Sequence, residues 1–541
     1  MNRTTMALAA GLLLSSQTAA QTVPTPGTVG DTLRPTPQLA PPAASPAPLV
    51  TPAPAARPGG SGRTVAVAQF EFDGNERFDD ATLAKLLSPY TGRALTLFEV
   101  YDAADVIANH YIRNGYTLAA VNVPPQKISE GVIRFEVLEG RIGKVAVEGK
   151  GLYETAQVQR YLQGLEPGSI YQGARLEQGL AQLNELPGLQ ARAVLAPGAA
   201  LGESDLLIQA TERPVQGALL VDNFGRENIG RVRYSALFNV NNPLKHEDQL
   251  TLLLLESEEE LLKYRYLAYS LPVNLRGSRL ELSYGDADFK VQDFAGVGGY
   301  NRSGRIGLSH PLLRERSRRL GLSGGVSSTR SNSDLFGLTL SGTQLTLLDL
   351  TATYQQSYAN FAATQVISTL SSNFDRSDRA ELADPDVSDD QRFRAELDIQ
   401  HLHPLKPRGL AALLRVNGVY SPDPLADTQQ FSLGGPNSVR GYPASEVRGD
   451  RGYFGSLTLR QPFSIGQTLL TTRVFADAGR VFRVDLPSGS REDSLSSIGL
   501  GADVQWDRLN AKLDWSFPQD QHPASDGRND SRLYGSLTVS F

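Results

Sequence analysis

Arg532-Leu533-Tyr534-Gly535-Ser536-Leu537-Thr538-Val539-Ser540-Phe541 closes the chain with a strict alternation. Leu533, Gly535, Leu537, Val539 and Phe541 fall on one face, and Tyr534, Ser536, Thr538 and Ser540 on the other. This is the period of a β-strand with one apolar side. Two earlier runs repeat it. Ile498, Leu500, Ala502, Val504 and Trp506 oppose Gly499, Gly501, Asp503 and Gln505, while Ala511, Leu513, Trp515 and Phe517 oppose Lys512, Asp514 and Ser516. Working outward, helical periods are absent from Pro214 to Phe541, where segments of about ten residues alternate with loops rich in Gly, Asn, Asp and Ser. Such a pattern suits a soluble sandwich or a membrane barrel. Three features select the barrel: a terminal aromatic with nothing after it, aromatics gathered at strand ends, and charges on the polar face that a sandwich core would not accept unpaired. The segmentation predicts a transmembrane β-barrel of about sixteen antiparallel strands, an even number that returns both ends of the barrel segment to one side.

The chain of 541 residues has no cysteine, which excludes disulfides, thiolate metal sites and thiol nucleophiles. Its net charge of −6 is mixed along the sequence, and no basic stripe points to nucleic acid. Arg3, the apolar run Met6–Leu14 and Thr18-Ala19-Ala20 predict a signal peptide over residues 1–20. Residues 21–62 follow, a Pro, Ala and Thr segment with about a third of the chain's 32 prolines, which predicts an extended linker. The longest proline-free interval there, Gly27 to Arg34, allows only about two helical turns.

Between linker and barrel lie two copies of a small α+β unit in the order β-α-α-β-β, over residues 63–141 and 142–213, with the barrel over 214–541. The first has a strand over Val65–Phe72, a short helix opened by Asp79, and a second helix that Thr96 and Glu99 begin as a capping box and Gly115 stops. Strands over Leu118–Val123 and Val132–Leu138 complete it. Units of this size are too small for a deep catalytic cleft, but open sheet edges receive extended peptides.

One stretch within the barrel has another character. Gly434-Gly435-Pro436-Asn437-Ser438-Val439-Arg440-Gly441-Tyr442 describes a glycine-rich loop tip presenting a long cation. In Arg473-Val474-Phe475-Ala476-Asp477-Ala478-Gly479, the residues Arg473, Phe475 and Asp477 share the polar face.

In order, these segments resemble the TpsB transporters of two-partner secretion, members of the BamA-type outer-membrane translocator superfamily. The paired units resemble POTRA domains through Tyr111-x-x-x-Gly115-Tyr116, Pro125-Gln126-x-Ile128 and Glu139-Gly140-x-Ile142. The barrel resembles theirs through Asp222-Asn223-Phe224-Gly225 with Gly230, Asn242-Pro243-Leu244, His310-Pro311-Leu312-Leu313-Arg314, Val439-Arg440-Gly441-Tyr442 and Phe475-x-Asp477-x-Gly479. The resemblance implies an outer-membrane transporter, not an enzyme, that exports a partner polypeptide of adhesin or haemolysin type carrying an N-terminal secretion domain. It places the POTRA units in the periplasm, Val439 to Tyr442 at the tip of a loop folded into the lumen, and Asp477 as the strand carboxylate that holds Arg440. Phe541 resembles the terminal signal read by the barrel-assembly machinery. Such transporters often carry a plug helix before the first POTRA unit, and the proline density argues against one here. The alternatives are a BamA-type assembly factor and an outer-membrane barrel enzyme; for the latter no Ser-His-acid set is recognisable. No cofactor or metal is expected: His401 and His403 share a strand face without an acidic partner, and Glu256 to Glu260 read as a solvated loop.

Overall fold

The computed structural model describes residues 24–33, 64–292, 296–315, 317–379, 393–405, 409–484, 491–520, 524–528 and 530–541. The expected signal peptide and most of residues 21–62 lie outside them. Two compact units emerge among the described residues, one of residues 64–214 and the other of 24–33 with 215–541.

In the first unit, Asp79 caps the helix Asp80–Leu86 by accepting from the Thr82 amide, and Thr96 and Glu99 form the expected reciprocal capping box on Leu97–Arg113. Val100, Ala103, Ala104, Ile107 and Tyr111 of that helix are buried against Phe70, Ile133, Phe135 and Val137 of the sheet. The sheet runs Gln69–Asp73, Val132–Leu138, Ala120–Asn122, its first pair parallel. The strand expected over Val65–Phe72 is divided at Ala68, whose amide turns aside to Gly131. Its first half, Thr64–Val67, pairs instead with Arg93–Thr96, a strand the sequence reading missed because four residues are too few to show a period. The second POTRA-like region repeats the plan, with Arg141–Glu148, Glu203–Glu212 and Leu189–Pro197 in one sheet beneath the helices Thr155–Gln159 and Gly173–Leu183.

The second unit is a closed antiparallel barrel of sixteen strands among the described residues, running from Val215–Asp222 to Arg532–Ser540. Faces follow the alternation: Ile498, Leu500, Leu513, Trp515, Leu533 and Leu537 are exposed where lipid would lie, while Tyr534, Asp514 and Ser516 are buried on the other side. The seam joins the last strand to the first through five residue pairs, Ser536↔Asp222 to Ser540↔Ala218. Phe541 extends it by exchanging both backbone bonds with Gly217, at 2.9 and 3.0 Å. Its ring lies over that glycine, where a Cβ would collide with it. Deleting Phe541 is therefore expected to lower the folded, heat-modifiable fraction in outer-membrane preparations far more than the activity of each assembled barrel. Leu537→Lys should cost about 2 to 4 kcal/mol if it lies near the bilayer midplane, and Thr538→Lys on the lumen face little. Equal assembly of these two variants would contradict the face assignment.

The linker expectation is corrected at one place. Pro26–Leu33 is a helix of eight residues belonging to the barrel unit. Its Val29 is fully buried among Ile229, Leu262, Phe289 and Val297. The helix has the length that the proline-free interval allows, and the prolines around it do not prevent it from forming. Pro26 opens the helix, where a missing N–H is harmless, and the proline-free interval holds the rest. At about 12 Å it does not span the barrel, and so short a helix is not stable alone. Barrel side chains supply what its own sequence lacks. Asp427 accepts from the Gly27 amide at 2.5 Å and from Thr25 Oγ1 at 2.9 Å at its N-terminus, while Arg233 donates to the Thr32 carbonyl at 2.7 Å near its C-terminus. An anion at the N-terminus and a cation at the C-terminus both suit the helix dipole.

Candidate functional site

Residues 421–450 join the strands Ala411–Tyr420 and Arg451–Ile465. Phe431–Leu433 and Val447–Gly449 pair as a two-stranded arm, which carries the glycine-rich tip back against the lumen face of the wall. Gly434 and Gly435 turn the chain with φ of +106° and +92°, a region that strains any other residue. Gly441, at φ +99°, also sits against the Pro518 ring.

The tip brings Arg440 to Asp477. Its Nε and Nη2 donate to the two carboxylate oxygens at 2.7 Å each, and its backbone amide donates to the same group at 3.2 Å. Ser456 from the neighbouring strand donates to Asp477 at 2.7 Å and accepts from Arg440 at 3.2 Å. The pair is buried, with side-chain exposures of 9% and 0%. The guanidinium lies 3.3 Å from the centre of the Phe475 ring. Phe475, Asp477 and Gly479 each have a place: a face beneath the cation, the counter-charge, and a bare backbone that receives the Leu433 methyls. Val439 is fully buried, and the Tyr442 hydroxyl donates to the Ser496 carbonyl at 2.9 Å and contacts Asp520. Tyr534 of the last strand donates to the Tyr442 carbonyl. In this desolvated setting a bidentate, three-donor contact exceeds what a surface pair contributes.

A second arginine was missed. Val447-Arg448-Gly449 repeats the tripeptide Val439-Arg440-Gly441, and that repetition was the available signal. Arg448 is 7% exposed. It pairs with Asp427 of its own loop and, at 3.3 Å, with Asp31 of the Pro26–Leu33 helix. Asp31 also accepts from Ser445 at 3.0 Å. Loop and helix are thus joined through Arg448, Ser445 and Asp427. Nearby, Arg226 donates to the Ala444 and Ser445 carbonyls at 2.6 and 3.1 Å, fixing the loop to the first hairpin. Arg473, on the same face as Asp477, pairs with Asp514 at 2.9 Å and Asp503 at 3.1 Å, continuing the charged column along the wall.

The POTRA motifs serve packing. Glu139 accepts from the Tyr111 hydroxyl at 2.9 Å and the Arg77 amide at 2.7 Å, and burial together with this carboxylate pushes the Tyr111 pKa up. Gln126 exchanges two 2.8 Å bonds with the backbone of Arg134 on the middle strand of the sheet, beyond the end of Ala120–Asn122. Gly115 and Tyr116 accept from Gly173 and Gln172 of the second region at 3.1 and 3.0 Å. His401 and His403 stack, with His401 Nδ1 bonded to Thr364, and no group of three or more candidate metal ligands occurs among the described residues.

The barrel is closed by sixteen strands among the described residues and carries an inner loop arm held by a buried ion pair. The chain matches the haemolysin secretion/activation protein family ShlB/FhaC/HecB over residues 202–504, more than half its length. It belongs to that family. Residues 65–140 match the ShlB-type POTRA domain. The outer membrane transporter CdiB of Escherichia coli O6:K15:H31 is 26% identical over 410 residues, which cover 73% of this chain and 68% of that protein. The haemolysin transporter protein ShlB of Serratia marcescens is 27% identical over 426 residues, 75% of this chain and 73% of its own. The solved structure of CdiB from Escherichia coli superposes with a TM-score of 0.68 at 22% identity, covering 100% of this chain and 98% of that one, which establishes the shared fold. As a member of this ShlB/FhaC/HecB family, the chain is an outer-membrane transporter of two-partner secretion that exports a partner protein, with its POTRA domains in the periplasm.

Proposed function

We propose that the exported partner is a large haemolysin- or adhesin-type polypeptide with an N-terminal secretion domain, captured in extended form at the POTRA sheet edges. Residues 63–141 and 142–213 act as the two receiving domains, residues 214–541 as the membrane barrel, and residues 1–20 as the export signal. Strands at sheet edges, among them Arg141–Glu148 and Leu189–Pro197, offer backbone groups to an incoming strand. Folding outside the cell satisfies the backbone and apolar groups of the cargo, so no nucleotide-driven step within this chain is required.

The observation that carries this reading is the buried Arg440–Asp477 contact, which fixes a loop tip inside a closed barrel. Val439 to Tyr442 with Phe475, Asp477 and Gly479 hold the loop arm, and Arg448 with Asp427 and Asp31 hold the helix beside it. Export then begins with release of the helix from the loop. The chain meets outer-membrane lipid along its apolar face and the barrel-assembly machinery through Phe541 during biogenesis. Co-expression with a very large, repeat-rich protein, sought in the reading frames beside this gene, tests the cargo assignment. Accumulation of that protein in the medium, lost when residues 64–213 are deleted, is the expected outcome. Retention of such cargo with normal assembly of other barrels would contradict it, and reduced assembly of other barrels on loss of this chain would favour an assembly role.

A further inference from the structure

Charges on the outward face of the barrel gather at one level of one sector. Val215 opens the first strand directly after the periplasmic domains, so odd-numbered strands run outward, and the seventh, Arg318–Leu335, starts at the periplasmic side. Its outward face reads Leu320, Leu322, Gly324 and Val326, then Ser328 and Arg330. Arg330 stands about ten residues beyond Leu320, the length a tilted strand needs to cross a bilayer. It therefore sits at the level of the outer-leaflet headgroups, and the strand continues past it to Leu335.

Cross-strand register assembles a charged row at this level. Arg265 lies opposite Asp286, Asp286 opposite Arg302, and Arg302 opposite Arg330. Two cations thus face each other across the strands Val297–Arg314 and Arg318–Leu335, and like charges so placed repel unless an anion lies between them. Arg302 leans to the other side. Its Nε donates to Asp286 at 2.9 Å, its Nη2 stands 4.0 Å from Asp288, and its guanidinium lies 4.6 Å from the centre of the Tyr300 ring. Asp286 is shared with Arg265 at 3.5 Å. Arg330 is exposed and makes no hydrogen bond or ion pair among the described residues. Immediately towards the membrane centre the same face is apolar: Ile306, Val326 and Leu348, opposite one another on three neighbouring strands, are 60%, 43% and 54% exposed.

We propose that this sector binds a phosphate of the outer-leaflet glycolipid, the phosphorylated lipid A of lipopolysaccharide. The Arg330 fork matches phosphate oxygens, and an anion beside it removes the repulsion from Arg302 and gives both guanidinium groups one partner. Arg302 is exposed and its carboxylate contacts are surface contacts, so it is free to share the phosphate. The acyl chains of the same molecule run over Ile306, Val326 and Leu348, a contact that free phosphate lacks.

The test uses the full chain in nanodiscs of phosphatidylcholine with a minor fraction of bisphosphorylated lipid A, followed by native mass spectrometry of retained lipid. Arg330→Gln should lower retained lipid A about fivefold, and Arg330→Gln with Arg302→Gln should lower it further. Arg330→Lys keeps the charge without the fork and should fall between wild type and Arg330→Gln. Arg508→Gln, at the periplasmic hairpin between Arg491–Trp506 and Leu509–Pro518, should leave retention unchanged. Arg330 has no partner to lose, so the single variants should fold as wild type does, which heat-modifiable mobility checks. Equal retention by wild type and Arg330→Gln overturns the proposal. So does an equal loss with Arg508→Gln, retention of dephosphorylated lipid A equal to that of the bisphosphorylated form, or displacement of lipid A by millimolar inorganic phosphate alone.

Discussion

Arg440→Ala is expected to reduce export of the partner at least tenfold while leaving a heat-resistant barrel in the outer membrane. The substitution removes both halves of the bidentate contact and leaves Asp477 buried, with the Ser456 hydroxyl and the Arg440 amide as its remaining donors. Losing one partner of such a pair costs about 3 to 5 kcal/mol, enough to change the tip from fixed to largely detached. The ladders of the wall strands on either side are untouched. Arg440→Lys keeps the charge but cannot form the fork, so it should fall between wild type and Ala. Asp477→Ala should resemble Arg440→Ala, and the double variant should be little worse than either single one, since both remove the same contact. Secreted partner measured against folded barrel separates these outcomes; normal export by Arg440→Ala would sink the role assigned to the tip.

Removal of residues 24–33, with the signal peptide kept, is expected to raise single-channel conductance severalfold. The helix packs Val29 among Ile229, Leu262 and Phe289 inside the barrel unit, so its loss vacates interior volume. Arg448→Ala should give a partial version, with more frequent openings, because it severs the ion pair to Asp31 while the Asp427 contacts to Gly27 and Thr25 persist. Planar-bilayer recordings of purified protein read both variants. Unchanged conductance after the deletion would show that the helix closes nothing.

Much of this architecture was legible because its causes are local. The period of two in Leu533 to Phe541 fixes which side meets lipid, and the spacing of Thr96 and Glu99 fixes where a helix begins. Asp477 was placed on the lumen face by parity alone. The Pro26–Leu33 helix was not legible, since its stability comes from Asp427 and Arg233, distant in sequence, and local proline density is silent about them. Arg448 was overlooked for a related reason: its partners Asp31 and Asp427 lie in segments with no regular period. The strand Arg93–Thr96 was not legible because four residues are too few to show a period and its last residue, Thr96, is already the cap of the following helix.

If export requires the helix to part from the loop, tying the two together should stop it. The chain has no cysteine, so Asp31→Cys with Ser445→Cys introduces the only thiols, at positions whose side chains already touch, Ser445 Oγ donating to Asp31 at 3.0 Å. Each single cysteine variant serves as the control for losing its native contact. Export of the partner is measured in cells under oxidising conditions and again after reductant, with the cross-linked fraction read from the same membranes. Export is expected to fall in proportion to the cross-linked fraction and to recover on reduction. Undiminished export from fully cross-linked barrels would contradict it.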